Sequence, residues 1–208
     1  MLLSLTVLIV FALLLINEFW WRTRTVHGEF SRKFVHITVG SFVAFWPFFL
    51  SWRQIQLLSV AFLAGVVISK YLNLFQAIHS VQRPTWGELF FAVSVGIITL
   101  MTQDKWVYTA ALLQMALADG LAAIIGVRFG NRRRYKVTGQ PKTVVGTLTF
   151  FVVSFCILLA YVHFSGVALP LGYVLFTAAL ASLLENLAVR GFDNLLVPLL
   201  VALLLVNY

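Results

Sequence analysis

Trp106–Ile125 reads WVYTAALLQMALADGLAAII, a continuous apolar run with a single carboxylate, Asp119, near its end. Roughly 20 apolar residues at about 1.5 Å each cover the hydrocarbon core of a bilayer, so this stretch predicts a transmembrane helix. Working outward, comparable runs lie near Leu2–Trp20, Phe34–Leu50, Ile55–Leu72, Leu89–Met101, Val144–His163, Ala168–Leu187 and Leu195–Val206. Leu89–Met101 and Leu195–Val206 are short enough to be tilted, broken or only partly inserted. The runs do not alternate apolar with polar, which excludes a β-barrel. The fold class is therefore all-α: a polytopic integral membrane helical bundle, a single transmembrane domain over 1–208, with about eight transmembrane helices (seven to eight).

Composition agrees. The 208 residues are 61% hydrophobic and 11% charged, with a mean hydropathy of +0.96. A soluble domain carries about a quarter charged residues, so a soluble globular fold is excluded. The first twenty residues have no basic n-region and no small-residue cleavage site, and are expected to be a retained helix. Cys156 is the only cysteine, so no intrachain disulfide can form.

Charge sets the orientation. The 15 Lys and Arg against seven Asp and Glu give a formal +8. With the loop after the first span cytoplasmic, every basic residue except Arg53 and Lys105 falls on one side. The positive-inside rule then puts both termini on the non-cytoplasmic side. Because the basic residues sit in short loops between apolar runs, nucleic acid is excluded as a partner. Anionic lipid and a phosphorylated ligand remain. Trp20, Trp21, Trp46, Trp52 and Trp106 fall near span ends, as interfacial aromatics do.

Four clusters gather at the basic face: 29–36, 83–88, 119–146 and 185–194. In the first, Glu29, Arg32, Lys33 and His36 share one helical face. Arg32 and Lys33 read equally as snorkelling anchors or as phosphate ligands. His36, a turn deeper, reads as functional, binding phosphate when charged or taking a proton when neutral. In the second, Thr85 and Glu88 have the spacing of a capping box, which accounts for Glu88 without catalysis, and Arg83 could reach a phosphate.

The third cluster carries most weight. A carboxylate as deep as Asp119 is costly unless compensated. A divalent cation would compensate it and supply the electrophile for phosphoryl chemistry, and a structural ion pair is the other reading. Gly126 and Gly130 form either a GxxxG packing face or a close approach to a nucleotide. Lys142-Thr143, just before the sixth span, makes an anion site with the helix N-terminus. In the fourth cluster Asp193 pairs with Asp119 as an oxygen ligand set for Mg²⁺, and Asn194 adds a neutral oxygen. Glu185 is expected to pair with Arg190, Arg32 or Lys33.

In this order, Arg32-Lys33-x-x-His36, Arg83-x-Thr85-x-Gly87-Glu88, Asp119-Gly120 with Gly126 and Gly130, Lys142-Thr143-x-x-Gly146, and Glu185 with Gly191-x-Asp193-Asn194 resemble the polyprenol kinase family of phytol, dolichol and CTP-dependent diacylglycerol kinases. That family is distantly similar to CDP-diacylglycerol synthases. The resemblance implies transfer of the γ-phosphate of CTP, or another nucleoside triphosphate, to the hydroxyl of an isoprenoid alcohol such as phytol or a polyprenol. On that resemblance Asp119 and Asp193 hold Mg²⁺, and Asp119, Asp193, Lys142 and His36 are catalytic. The nucleotide is bound by Arg32, Lys33, Arg83, Gly126, Gly130, Lys142, Thr143 and Asn194, with Glu29, Glu88 and Glu185 secondary. The general base stays open between His36 and Asp119. Val145 stands where many relatives carry Glu, a departure that weakens the cytidylyltransferase and dolichol-kinase readings. The alternatives are a CDP-lipid synthase-like cytidylyltransferase, a diacylglycerol kinase of the same family, and an ion-coupled transporter. The partners expected are the lipid alcohol, the nucleotide and the bilayer, with a homodimer left open and the active site facing the cytoplasm.

Overall fold

A computed structural model describes residues 2–23, 29–72, 86–130 and 133–208. Among them, eight helical rods match the apolar runs one for one. They are α1 (Leu2–Thr23), α2 (Glu29–Ala44), α3 (Trp52–Tyr71), α4 (Gly87–Met101), α5 (Lys105–Phe129), α6 (Val144–Ser165), α7 (Leu171–Leu187) and α8 (Asp193–Val206). Four of them, α1, α3, α5 and α6, are long and apolar enough to cross a membrane. The outer surface is apolar: Leu8, Phe19, Leu57 and Leu100 are each more than 60% exposed. A water-soluble protein does not present that much apolar area.

The rod that carries Asp119 is the axis of the bundle. In α5, 61% of the span is buried, against 22% in α1 and in α3. Its packing face is made of small residues, Ala110, Ala111, Ala116 and Ala118, all buried. In lipid there is no hydrophobic drive between helices, so close backbone approach has to supply the attraction. Two glycines show how close the approach is at α2. A Cβ on Gly120 would lie 2.3 Å from Ile37 Cγ1, and one on Gly40 would lie 2.7 Å from the Ala116 Cβ. These contacts lie beside the level at which α2 and α5 exchange their polar side chains.

Local chemistry fixes the helix ends. Asp104 caps α5, its Oδ1 accepting from the backbone N–H groups of Trp106 (2.7 Å) and Val107 (3.0 Å). Ser51 and Gln54 form a reciprocal capping box at α3. α4 starts at Gly87 with Trp86 as its cap, and the Trp86 side chain makes no capping bond. Thr85 of the expected box lies outside the described residues. Aromatic rings close the end of the bundle opposite the glycine-rich loops. Phe48 packs on Trp106 at 4.7 Å, Trp106 stacks on Phe164 at 5.4 Å, and Tyr173 donates to the Leu204 carbonyl at 2.7 Å.

The all-α expectation needs one correction. The basic segment read as a loop folds into an antiparallel hairpin, β1 (Arg134–Val137) and β2 (Gln140–Thr143). Tyr135 stands opposite Lys142, and Val137 opposite Gln140. Thr138 and Gly139 both have positive φ (49° and 79°), as a two-residue primed turn requires. Strands this short carry too few alternations to show as a period in sequence.

The Gly120–Ile37 contact generates a test. Gly120→Val should cost about 1–3 kcal/mol by overpacking, read as a lower melting temperature in detergent. Adding Ile37→Ala should recover part of that loss. No recovery would mean the two helices do not meet at this level.

Candidate active site

Five helices (α2, α5, α6, α7 and α8) and the hairpin line one cavity of about 450 Å³. α2 contributes Arg32 and Lys33, and α5 contributes Asp119 and Gly126. The hairpin supplies Arg134, Gln140, Lys142 and Thr143, α7 supplies Glu185, and the α7–α8 turn with the start of α8 supplies Arg190, Asp193 and Asn194. Three of the four sequence clusters thus meet at one place. Five basic side chains (Arg32, Lys33, Arg134, Lys142, Arg190) face three carboxylates (Asp119, Glu185, Asp193) there. Such an excess of cations in a recess of low dielectric favours an anionic ligand.

Asp119 is held from two sides. Lys33 Nζ bonds its Oδ2, with both side chains buried, and His36 Nε2 lies 3.7 Å from the same oxygen. A π-turn over Gln114–Ala118 sets up this arrangement. The Asp119 N–H closes on the Gln114 carbonyl, a five-residue step, and so leaves the carbonyl of Met115. His36 Nε2 sits 2.9 Å from that Met115 oxygen and must donate to it, because a carbonyl only accepts. Single π-turns inside α-helices are frequent at functional sites. Nothing in the residues QMALA signals one, so sequence reasoning missed it.

Lys142 is the second cation with a fixed position. Its Nζ is 2.5 Å from Glu185 Oε1 and 3.0 Å from the Glu185 carbonyl. Glu185 therefore pairs with Lys142, not with Arg190, Arg32 or Lys33. Burial disfavours the Lys142 ammonium, but the Glu185 carboxylate outweighs it and the pKa is raised, so Lys142 stays charged through the neutral range. Tyr135, absent from the expected set, pins the hairpin. Its hydroxyl donates to Asn186 Oδ1 (2.5 Å) and also contacts Thr147 Oγ1. Only the register opposite Lys142 distinguishes it, and that register is not visible without the hairpin.

The remaining expectations divide. Thr143 lines the cavity, but its hydroxyl is committed as the cap of α6, accepting from Gly146 N at 3.0 Å. Gly126 and Gly130 both permit packing: a Cβ would lie 2.8 Å from Thr143 Oγ1 at the first and 2.3 Å from the Gly126 carbonyl at the second. Gly126 also lines the cavity, whereas Gly130 does not. His36 and Glu88 face a smaller neighbouring recess. Arg83 and the side chain of Glu29 lie outside what the structure describes.

As a place for a divalent cation the cavity fits in kind. Asp119 commits only Oδ2 to Lys33, and Asp193 has no ion pair among the described residues. Among those residues no cluster of three or more His, Cys, Asp or Glu exists to cage a metal. A divalent cation held by these two carboxylates would need phosphate and water to complete its shell.

The fold and site define an apolar-surfaced helical bundle with a cavity of basic and acidic side chains at one end. The chain is 35% identical over 196 residues to a phytol kinase of Synechocystis sp., covering 90% of this chain and 83% of that one. It is 30% identical over 210 residues to a probable chloroplastic phytol kinase of Triticum aestivum (88% and 69%). A third relative, a dolichol kinase of Saccharomyces cerevisiae, is 38% identical over 91 residues, 42% of this chain and 17% of that one. No family model matches the chain, and no solved structure matches it significantly. The chain belongs to the polyprenol kinase family and is a phosphotransferase with an alcohol as acceptor.

Lys33→Met should cost about 3–5 kcal/mol, because it strands the buried Asp119 carboxylate. Lys33→Met combined with Asp119→Leu should recover most of the melting temperature while remaining inactive. A double variant no more stable than the single would show that the pair is not the energetic unit.

Proposed function

We propose that this chain is a membrane-embedded, CTP-dependent kinase that transfers the γ-phosphate to the hydroxyl of an isoprenoid alcohol such as phytol or a polyprenol. The observation that carries the proposal is the convergence of Asp119, Asp193 and the Lys142 hairpin on one cavity at the basic face of an apolar bundle. The relatives named as phytol and dolichol kinases support the acceptor class. All eight rods cross or enter the bilayer in this proposal, with both termini outside and the cavity open to the cytoplasm. Lys/Arg partition supports that orientation.

The residues divide the work. Lys142, kept charged and oriented by Glu185, binds the donor phosphates, with Arg32 and Arg190 adding positive potential. Lys33 keeps Asp119 ionised and fixed in direction. Asp119 and Asp193 would hold Mg²⁺, which supplies charge neutralisation and alignment of the phosphates. The alcohol oxygen bonds to the γ-phosphorus as the bond to the CDP oxygen breaks, and the hydroxyl proton is released. His36 is the better placed of the two base candidates, since Asp119 is engaged by Lys33. With Nε2 donating to the Met115 carbonyl, a neutral His36 carries its lone pair on Nδ1.

Purified protein in detergent with γ-labelled CTP and Mg²⁺ is offered phytol, farnesol, a polyprenol and diacylglycerol. Label should enter an isoprenoid alcohol, with the rate falling at least about a hundredfold in Asp119→Asn and on chelation of the metal. Label in diacylglycerol alone would overturn the acceptor class. Release of pyrophosphate with phosphatidic acid supplied would overturn the kinase in favour of a cytidylyltransferase.

A further inference from the structure

Beside the larger cavity lies a second recess of about 50 Å³, half open to the outside and mostly apolar, with His36 and Glu88 also on its wall. Its walls are Leu14 of α1, Val39 of α2, Phe62 and Val66 of α3, and Phe91 of α4. Two residues, Arg32 and Asn194, line both spaces and form the seam between them. The helices at its outer margin, α1 and α3, are the least buried of the long spans, so this side of the bundle faces lipid.

Asn194 is the informative member of the seam. Its side chain is 98% buried. Nδ2 donates to the Gly87 carbonyl at 3.0 Å, and its own backbone carbonyl accepts from Ser94 Oγ at 2.6 Å. Its Oδ1 has no partner among the described residues. A buried acceptor left unpaired costs about 1–3 kcal/mol, so the position lacks a donor that binds there.

We propose that this recess holds the hydrocarbon tail of the acceptor alcohol, and that Asn194 Oδ1 accepts the hydrogen bond of its hydroxyl at the seam. The proposal rests on the kinase reading above and deepens it. At about 50 Å³ the space takes the first few carbons of one chain, and the rest of the tail lies in the bilayer. The tail leaves between α1 and α3 into the bilayer, while the hydroxyl reaches the phosphate cavity past Arg32. Asn194 thereby belongs with the alcohol, not with the nucleotide or the metal.

The full chain in detergent is irradiated with a diazirine-bearing farnesol analogue, and the adducts are mapped by mass spectrometry. Adducts should fall on Leu14, Phe62 and Val66 and be competed by phytol but not by diacylglycerol. Val66→Trp should raise KM for phytol about tenfold with KM for CTP unchanged, and Leu14→Trp, on the loosely packed α1, serves if the first variant does not fold. Asn194→Ala should lower kcat/KM for the alcohol about five- to tenfold, the size of one buried hydrogen bond, again with KM for CTP unchanged. A probe that is phosphorylated but labels only other helices overturns the recess and leaves the kinase standing. A probe neither phosphorylated nor bound overturns both, and a selective rise in KM for CTP in Asn194→Ala overturns the role of that residue.

Discussion

The site depends on one interaction, the buried ion pair between Lys33 on α2 and Asp119 on α5. Its net energy explains its place better than its strength does. Two unit charges a few ångströms apart attract by roughly 4 kcal/mol at an effective dielectric of about 20. Removing each ion from water costs several kcal/mol, so the pair about breaks even against an apolar replacement. A leucine and a methionine would hold α2 against α5 as well. What they would not do is present an ionised carboxylate, fixed in direction, to a cavity inside a membrane protein. Structure follows from that requirement: Gly40 and Gly120 let the two helices approach closely beside the pair, and the π-turn lies immediately before Asp119.

The same economy of position governs the other cation. Lys142 sits on a hairpin and not on a helix, and a free hairpin of four-residue strands would be marginal at best. Three contacts make it rigid: Glu185 on Lys142, Asn186 and Thr147 on Tyr135, and the Thr143 cap that turns β2 directly into α6. Adjacent residues of α7, Glu185 and Asn186, therefore hold opposite strands of one hairpin. Loss of Glu185 would unpair the lysine, and loss of Asn186 would loosen the strand opposite it.

Much of this was legible in the chain. Each apolar run became a helix, because a run of about 20 apolar residues has few other fates. The one expected at Phe34–Leu50 instead runs Glu29–Ala44 and ends before a turn at Trp46–Phe48. Asp119, Lys142, Asp193 and Glu185 stood out because a charge inside or beside such a run has to be explained. Partners were less legible. Glu185 had three basic candidates in reach by sequence and took a fourth, since pairing across a bundle depends on which helix faces which. The hairpin was hidden by its brevity and its basic composition. The π-turn left no mark, because an extra residue per turn is imposed by the contacts of His36 and Lys33 and not by the propensity of Gln114–Ala118. The commitment of Thr143 to capping was available from its position before an apolar run, but the same position also reads as an anion site.

Placing Asp119 within a helix and not at a helix end has a consequence for how two unlike substrates meet. A nucleotide arrives from water and a lipid alcohol from the bilayer, so a site on either side alone would have to desolvate one of them. The same cavity is lined by Asp119 and by the hairpin that carries Lys142, so it extends from the basic face into the bundle. The apolar recess reaches the same depth from the side, between helices that face lipid. The two spaces share a wall of two residues, Arg32 and Asn194. On the proposed reading, a polar group and a hydrocarbon each stay in a medium that suits them until the reacting oxygen crosses that wall.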